Sequence, residues 1–138
     1  MEFLDPSLEK YVGEHSQKVP ELLNRLDRET HLKVLNPRML AGHVQGRFLS
    51  MLSHMIQPKR VLEIGTYTGY SALCWAEGLP EGGHIHTIDK NEELEPIVTK
   101  YWQEAGAEEK ITWHVGNALD IIPTIRETWD LVFIDADK

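Results

Sequence analysis

The chain has 138 residues, a formal net charge of −8 and an apolar fraction of 41%, which suit one folded domain with a buried core rather than a disordered chain. The acidic balance argues against nonspecific binding of nucleic acid, which favours a positive surface, and the single cysteine excludes an intramolecular disulfide. The sequence has neither a run of about 18 apolar residues nor a signal peptide, so we expect a cytoplasmic protein without a membrane partner.

The first 58 residues are predicted to form a helical lead-in. Apolar residues recur at helical spacing in residues 7–15, 19–32 and 42–57. Asn36-Pro37 interrupts this pattern, because proline disfavours helical backbone at the residue before it. We therefore expect three helices, with a loop between the second and the third.

From residue 59 to residue 138 the pattern changes, and short apolar runs alternate with amphipathic segments. Such alternation indicates right-handed crossovers and a mostly parallel sheet, the arrangement of a doubly wound α/β fold. The predicted strands are residues 60–64, 84–89, 111–115 and 130–134, and the predicted helices are residues 70–77, 92–105 and 118–122.

The fourth predicted strand carries the apolar run Leu131-Val132-Phe133-Ile134, which is typical of a strand covered on both faces. The sequence stops at Lys138, which would leave this strand near a sheet edge with no following helix. We therefore expect the chain to be the N-terminal part of a longer domain, with its C-terminal strands missing.

Residues 61–71 carry the strongest functional signal. A buried strand stops at Gly65, Gly69 follows four positions later, and Ser71 lies at the start of a helix. A glycine-containing turn lets a ligand approach backbone N–H groups. Glu63 is an acid inside the apolar run, where burial is costly without a partner, so we expect it to face a polar ligand.

Three further acids follow predicted strands, where parallel sheets bind ligands. Asp89 lies about twenty residues after Gly69 and is placed to accept hydrogen bonds from a ribose diol; the alternative is that it caps the next helix together with Asn91. Asp135 and Asp137 suit a cation and a ligand amine, or else a plain polar strand end.

Other candidates have competing structural interpretations. Met39 precedes the third helix and either lies over a ligand or packs in the core. His84 and His86 share one face of a strand and form a possible metal pair, although no cysteine or third histidine is near them in sequence. Cys74 is expected to be a small core residue. No nucleophile arrangement of the Ser-His-Asp or Cys-His type is found.

The segment Glu63-Ile64-Gly65-Thr66-Tyr67-Thr68-Gly69-Tyr70-Ser71 resembles the S-adenosylmethionine-binding turn of class I methyltransferases. Together with Phe133-Ile134-Asp135-Ala136-Asp137-Lys138 it resembles the cation-dependent O-methyltransferases, which include caffeoyl-CoA and catechol O-methyltransferases. The resemblance extends from about Met39 to Lys138. It implies a Rossmann-like sheet preceded by N-terminal helices that cover the cofactor.

The resemblance also implies individual roles. Around the methionine part of the cofactor it places Glu63, Gly65, Thr66 and Ser71, with Asp137 at the amino group.

For the rest of the nucleoside, the resemblance places Asp89 at the ribose and Asn117-Ala118 near the adenine. Met39 and Ala41 lie in the entrance segment that covers the cofactor. Asp135 matches a ligand of a divalent cation, Mg²⁺, that would bind two oxygens of the acceptor and lower the pKa of its hydroxyl. The family's other metal ligands, an Asp-Asn pair, are expected further downstream and cannot be assigned, because the sequence stops at Lys138.

The function implied is methyl transfer to a hydroxyl of a catechol-like small molecule, by a homodimer. Transfer RNA hydroxyuridine as acceptor and a non-catalytic S-adenosylmethionine-binding role are the alternatives. A dehydrogenase is disfavoured because Gly65-x-x-x-Gly69 lacks the G-x-G-x-x-G spacing of dinucleotide-binding proteins.

Overall fold

The structure, a computed structural model, describes residues 4–136, and its first part is helical as predicted. The helices are α1 (Pro6–His15), α2 (Glu21–Lys33) and α3 (Gly42–Ile56), with a 3-10 turn at Pro37–Met39. Each α-helix lies within two residues of its predicted bounds.

Local chemistry explains where these helices begin and end. Asp5 precedes α1 and accepts a hydrogen bond from the Ser7 N–H at 2.8 Å, while Pro6 occupies the first turn, where no N–H is needed. Gln57 follows α3 in the left-handed region at φ +50°. That conformation ends the helix.

The second part alternates strands and helices. The strands are β1 (Arg60–Ile64), β2 (His84–Asp89), β3 (Ile111–Val115) and β4 (Leu131–Ile134), and the helices are α4 (Tyr70–Ala76), α5 (Glu95–Glu104) and α6 (Ala118–Ile121). The first three strands have their predicted bounds, and β4 begins one residue later than predicted.

One predicted helix is divided. Residues 92–105 form a 3-10 turn at Glu92–Leu94 followed by α5. Asn91 caps the 3-10 turn by accepting the Glu93 N–H at 3.1 Å, and Pro96 lies in the first turn of α5. Proline lacks an N–H and is tolerated only in the first turn of an α-helix, which favours a helix that begins close to it.

The four strands form one parallel sheet in the order β3-β2-β1-β4. The chain moves outward from β1 to β2 and β3, then returns to place β4 on the other side of β1. The direction of winding therefore reverses between β1 and β4, which is the topological switch of a doubly wound sheet. The α/β fold and the parallel sheet are confirmed.

The main hydrophobic cluster lies on one face of this sheet. Val61, Ile85 and Phe133 share that face by alternation and register, and Trp75 of α4 meets Phe133 edge-on with ring centroids 5.5 Å apart. Cys74 is fully buried in the same cluster, as expected. Helices α2 to α5 all contribute residues to it.

The opposite face of β4 differs from its prediction. Among residues 4–136, Val132 and Ile134 remain 50% and 71% exposed, so the strand is not covered on both faces. The reason is that, within the described residues, β4 pairs only with β1, and the helices that pack against Phe133 lie on the other face. The position of β4 at the edge of the described sheet agrees with the prediction.

Within residues 4–136 no helix combines the length and the apolar character needed to span a membrane.

Gly78, two residues after the end of α4, lies very close to the backbone of α3. A Cβ atom at Gly78 would lie 2.3 Å from the backbone nitrogen of His54 and 2.4 Å from the carbonyl carbon of Ser53. Because backbone cannot move aside cheaply, we expect Gly78→Ala to lower the free energy of unfolding by about 1–3 kcal/mol, measured by urea denaturation.

Gly13→Ala is the matched control. Gly13 lies inside α1, and its added Cβ would meet only the His43 ring, at 4.0 Å. Alanine favours helix over glycine by up to about 1 kcal/mol, so this variant should be as stable as the wild type or slightly more so. Equal stability of the two variants would contradict the close approach.

Candidate functional site

A cavity of about 1030 Å³ opens at the carboxyl ends of the strands. Its walls include Ile64 after β1, Asp89 at the end of β2, Gly116 after β3 and Asp135 after β4. This is the switch point between β1 and β4, where open α/β sheets bind ligands.

The turn after β1 forms the floor of the cavity. Gly65 has a φ of +109°, and a Cβ there would lie 2.9 Å from the backbone nitrogen of Ala136. Gly69, with a φ of +83°, would place its Cβ 2.5 Å from Nε1 of Trp102. Both positions therefore require glycine, because each combines left-handed backbone with a close neighbour.

Asp89 is half-buried in the cavity wall, and its carboxylate organises the two loops beside it. Its Oδ2 accepts the Tyr67 N–H at 2.7 Å, and its Oδ1 accepts the Asn91 N–H at 3.0 Å. A carboxylate oxygen has more than one acceptor site, so capacity for a ligand remains. The alternative of a helix cap applies to Asn91, which caps the following turn directly, and Asp89 orients Asn91.

Glu63 lies beneath the cavity floor and is completely buried. Ser71 Oγ donates to its Oε1 at 2.5 Å, and Thr87 Oγ1 donates to its Oε2 at 2.5 Å. A further hydrogen bond of 2.7 Å joins the hydroxyls of Thr66 and Thr87. Burial raises the pKa of Glu63 to about 7, against the opposing effect of the two hydroxyl donors.

This burial corrects the expectation that Glu63 faces a polar ligand. Glu63 does not line the cavity, and its partners in the described part of the chain are the hydroxyls of Ser71 and Thr87. The reason is alternation: Glu63 shares the face of Val61, which α4 covers. Glu63 reaches the cavity through Ser71.

Most of the predicted site residues lie together. Those that line the cavity are Met39, Ala41, Gly65, Thr66, Ser71, Asp89, Ala118 and Asp135. Asn117 accepts the Leu119 N–H at 3.0 Å and caps α6, so its proximity to an adenine stays a prediction. Asp137 lies outside the described residues.

The segment between α2 and α3 forms one wall and is tied to the turn after β1. The Tyr67 hydroxyl donates to the carbonyl of Asn36 at 3.1 Å, and the carbonyl of Leu35 lies 3.3 Å from the same hydroxyl. Met39 lines the cavity and is 48% exposed, which favours the interpretation of a residue over the ligand rather than a core methionine.

An ion-pair cluster at the cavity wall was not predicted. Lys33 and Lys100 donate to opposite oxygens of Glu29 at 2.8 and 2.7 Å, and the Tyr101 hydroxyl donates at 2.6 Å. These three donors, Lys100 most strongly, lower the pKa of Glu29 to about 2. The i,i+4 spacing of Glu29 and Lys33 was visible in the sequence, whereas the approach of α5 was not.

Asp135 is the only predicted metal ligand that the structure places at the cavity, and burial raises the pKa of its carboxyl. In the part of the chain that the structure describes, no group of three or more His, Cys, Asp or Glu side chains is arranged to hold a metal ion. Asp135 therefore supplies one oxygen-bearing side chain and not a complete ligand set.

The two strand histidines lie away from the cavity. His84 and His86 share one sheet face, as predicted, with ring centroids 4.9 Å apart. His86 Nδ1 lies 2.9 Å from Nε2 of His114, and burial lowers the pKa of all three imidazoles. A neutral imidazole pair that shares one proton explains this contact without a metal.

Comparison with known proteins identifies the family. Residues 13–138 match the family described as O-methyltransferase. The chain belongs to the O-methyltransferase family.

Two curated relatives in this family illustrate the similarity. The chain is 40% identical over 103 residues to a catechol O-methyltransferase of Mycobacterium tuberculosis, which covers 74% of this chain and 47% of the relative. It is 37% identical over 134 residues to a caffeoyl-CoA O-methyltransferase of Populus kitakamiensis, which covers 93% of this chain and 55% of the relative. The chain thus spans about half the length of these curated O-methyltransferases.

Solved structures of methyltransferases share the fold. The O-methyltransferase TomG from Streptomyces achromogenes, in complex with SAM, superposes with a TM-score of 0.86 at 32% identity, over 96% of this chain and 60% of that one. A methyltransferase of Podospora anserina, bound to SAH, superposes with a TM-score of 0.88 at 25% identity, over 99% of this chain and 60% of that one. Both agree with a Rossmann-like methyltransferase fold.

Proposed function

We propose that the cavity binds S-adenosylmethionine and that the protein transfers its methyl group to a hydroxyl of a small catechol-like molecule. The observation that carries this proposal is the position of Asp89. It is a carboxylate with remaining acceptor capacity, held by two backbone N–H groups at the switch point of an O-methyltransferase sheet. Relatives in complex with SAM or SAH support the choice of cofactor.

The chain's own residues account for each part of this cofactor. Asp89 would accept hydrogen bonds from the ribose diol, and a carboxylate is a stronger acceptor for such donors than a neutral group is. Gly65, Thr66 and Ser71 would surround the methionine part, where the glycine lets it approach the backbone.

The far ends of the cofactor would meet the cavity's other walls. Ala118 would lie near the adenine, and Met39 and Ala41 would cover the nucleoside from the entrance segment. The Tyr67 hydroxyl holds that segment in place by hydrogen bonding, so the entrance segment is fixed to the turn after β1. Asp137 stays a candidate for the cofactor's amino group.

Methyl transfer of this kind depends on the alignment of the acceptor oxygen with the cofactor's methyl group, and it requires no protein nucleophile. Asp135 lies at the cavity with an oxygen-bearing side chain that suits a hard cation, and we propose it as one ligand of Mg²⁺. A bound divalent cation supplies Lewis acidity that lowers the pKa of an acceptor hydroxyl. The names of the catechol and caffeoyl-CoA relatives support a vicinal diol as the acceptor.

We also propose that the protein is a homodimer. Val44, Phe48, Met51 and Met55 are exposed along one side of α3, at the i, i+4, i+7 and i+11 spacing of a helix face. An apolar helix face of this kind suits contact with a second copy about a two-fold axis.

Substitution of Asp89 tests the cofactor site. We expect Asp89→Ala to weaken binding of S-adenosylmethionine by roughly 1–3 kcal/mol, because hydrogen bonds to an ionised acceptor are lost. Isothermal titration calorimetry measures this loss, and Asp89→Asn should lose less because one oxygen acceptor remains.

The control for this experiment is Asp120→Ala, since Asp120 is an exposed acid on α6 that does not line the cavity. Its affinity should equal that of the wild type. Unchanged affinity in Asp89→Ala would contradict the proposed contact of Asp89 with the ribose. Tighter binding of NAD than of S-adenosylmethionine would contradict the proposed cofactor. Binding without turnover of any catechol would favour the non-catalytic alternative.

Substitution of Asp135 tests the metal site. We expect methylation of a catechol by the wild type to require Mg²⁺, and we expect Asp135→Ala to lose this Mg²⁺-dependent turnover because a carboxylate ligand is removed. The assay compares rates with Mg²⁺ and with a chelator. Turnover that a chelator leaves unchanged in the wild type would refute the proposed metal dependence.

The dimer is tested on α3. Met55 is 74% exposed, so Met55→Glu should leave the fold intact and weaken dimerisation at least about tenfold, because the charge occurs in both copies. Sedimentation velocity measures the oligomeric state. Leu119→Glu on α6, where the side chain is 80% exposed, is the matched control and should remain dimeric; a monomeric wild type would contradict the proposal.

A further inference from the structure

Ser71 connects the cavity with the buried carboxyl group beneath it. Its side chain lines the cavity, and its hydroxyl donates to Glu63 Oε1 at 2.5 Å. A serine hydroxyl has a single proton, so it cannot donate to Glu63 and to a ligand at the same time. In the arrangement described, Ser71 presents only acceptor lone pairs to the cavity.

The same arrangement fixes the other hydroxyl at Glu63. Thr87 donates to Oε2 at 2.5 Å, and the Thr66 hydroxyl, which also lines the cavity, lies 2.7 Å from that of Thr87. Because Thr87 donates its single proton to Glu63, the Thr87 oxygen accepts the hydrogen bond from the Thr66 hydroxyl. Both cavity hydroxyls then direct their protons inward, toward the carboxylate.

This pattern suits an ionised Glu63 and a cavity without an anion. A ligand carboxylate that entered at Ser71 would meet lone pairs, and its charge would lie close to a second buried carboxylate. Two like charges in a poorly hydrated site disfavour each other strongly, and the usual outcome is that one of them binds a proton.

We propose that Glu63 takes up one proton when an anionic group binds at Ser71, and that this reverses the Ser71–Glu63 hydrogen bond. The new Glu63 O–H donates to Ser71 Oγ, and the freed Ser71 O–H donates to the ligand. The proton comes from solvent, so the net charge of the site is unchanged by the entry of one anion. Glu63 is thereby a positioning residue that acts through Ser71.

The anionic group is the methionine carboxylate of the cofactor, and this identification rests on the proposed function. The ionisable groups that face Glu63 support proton uptake. Burial, and to a smaller extent the charges of Asp135 after β4 and Asp89 on β2, raise its pKa to about 7, while Cys74 on α4 has its pKa raised to about 12 by burial and stays neutral. Near neutral pH a proton is therefore gained at modest cost.

Calorimetry with S-adenosylhomocysteine tests the proposal on the wild-type protein. Titrations at about pH 8 in buffers of different ionisation enthalpy should report uptake that approaches one proton per ligand. The dissociation constant should be flat below about pH 7 and should rise by up to about tenfold per pH unit above it, because binding then requires a proton that free Glu63 has lost.

Two variants assign the proton. Glu63→Gln can donate to Ser71 through its amide, so it should bind S-adenosylhomocysteine without proton uptake and without the rise in dissociation constant. Asp135→Asn removes the other acid with a raised pKa and should keep the uptake. If Glu63→Gln fails to fold, Thr87→Val replaces it: loss of a hydroxyl that donates to Glu63 raises the pKa of free Glu63, so the rise in dissociation constant should begin at a higher pH, and an unmoved rise would refute the role of Glu63.

The outcomes separate this proposal from the proposed function. Binding of S-adenosylhomocysteine by the wild type with no proton uptake would refute the role of Glu63 and leave the cofactor assignment intact. Uptake that persists in Glu63→Gln, or that disappears in Asp135→Asn, would also refute it. Absence of any binding would overturn both.

Discussion

The close passage of two chain segments at Gly65 is the constraint on which the site depends. The N–H of Gly65 donates to Ile88 at 2.9 Å, and the N–H of Asp135 donates to Ile64 at 2.9 Å, so the exits of β1, β2 and β4 are joined by backbone. A Cβ at Gly65 would lie 2.9 Å from the nitrogen of Ala136. Only glycine lets these exits come together and still leave an open cavity beside them.

Hydrogen bonds from backbone and hydroxyl groups hold the acids of this site. Asp89 is fixed by two N–H groups, whereas Glu63 is fixed by two side-chain hydroxyls in a fully buried position. The difference has a chemical consequence. Backbone N–H groups can only donate, whereas hydroxyls can donate or accept, so the surroundings of Glu63 tolerate either protonation state.

The sequence predicted the elements of this member of the O-methyltransferase family well and the surroundings of single side chains less well. Apolar runs between turn residues gave the bounds of β1 to β3, because strand length and turn chemistry are local properties. The motif that ends in Ser71 and the acid at Asp89 predicted a cavity that both residues line. The burial of Glu63 was missed, since only the register with β2 brings Thr87 beside it.

What the sequence determined by itself is local: where helices and strands occur, where glycine is required, and which acids follow strands. The tertiary structure alone decided which residues meet across long distances in the chain, as in the contacts of Glu63 with Thr87 and of Glu29 with Lys100. It also decided that Val132 and Ile134 remain exposed in the described sheet. The physical reason is that strand order and helix packing, which no local window of sequence encodes, set the surroundings of each side chain.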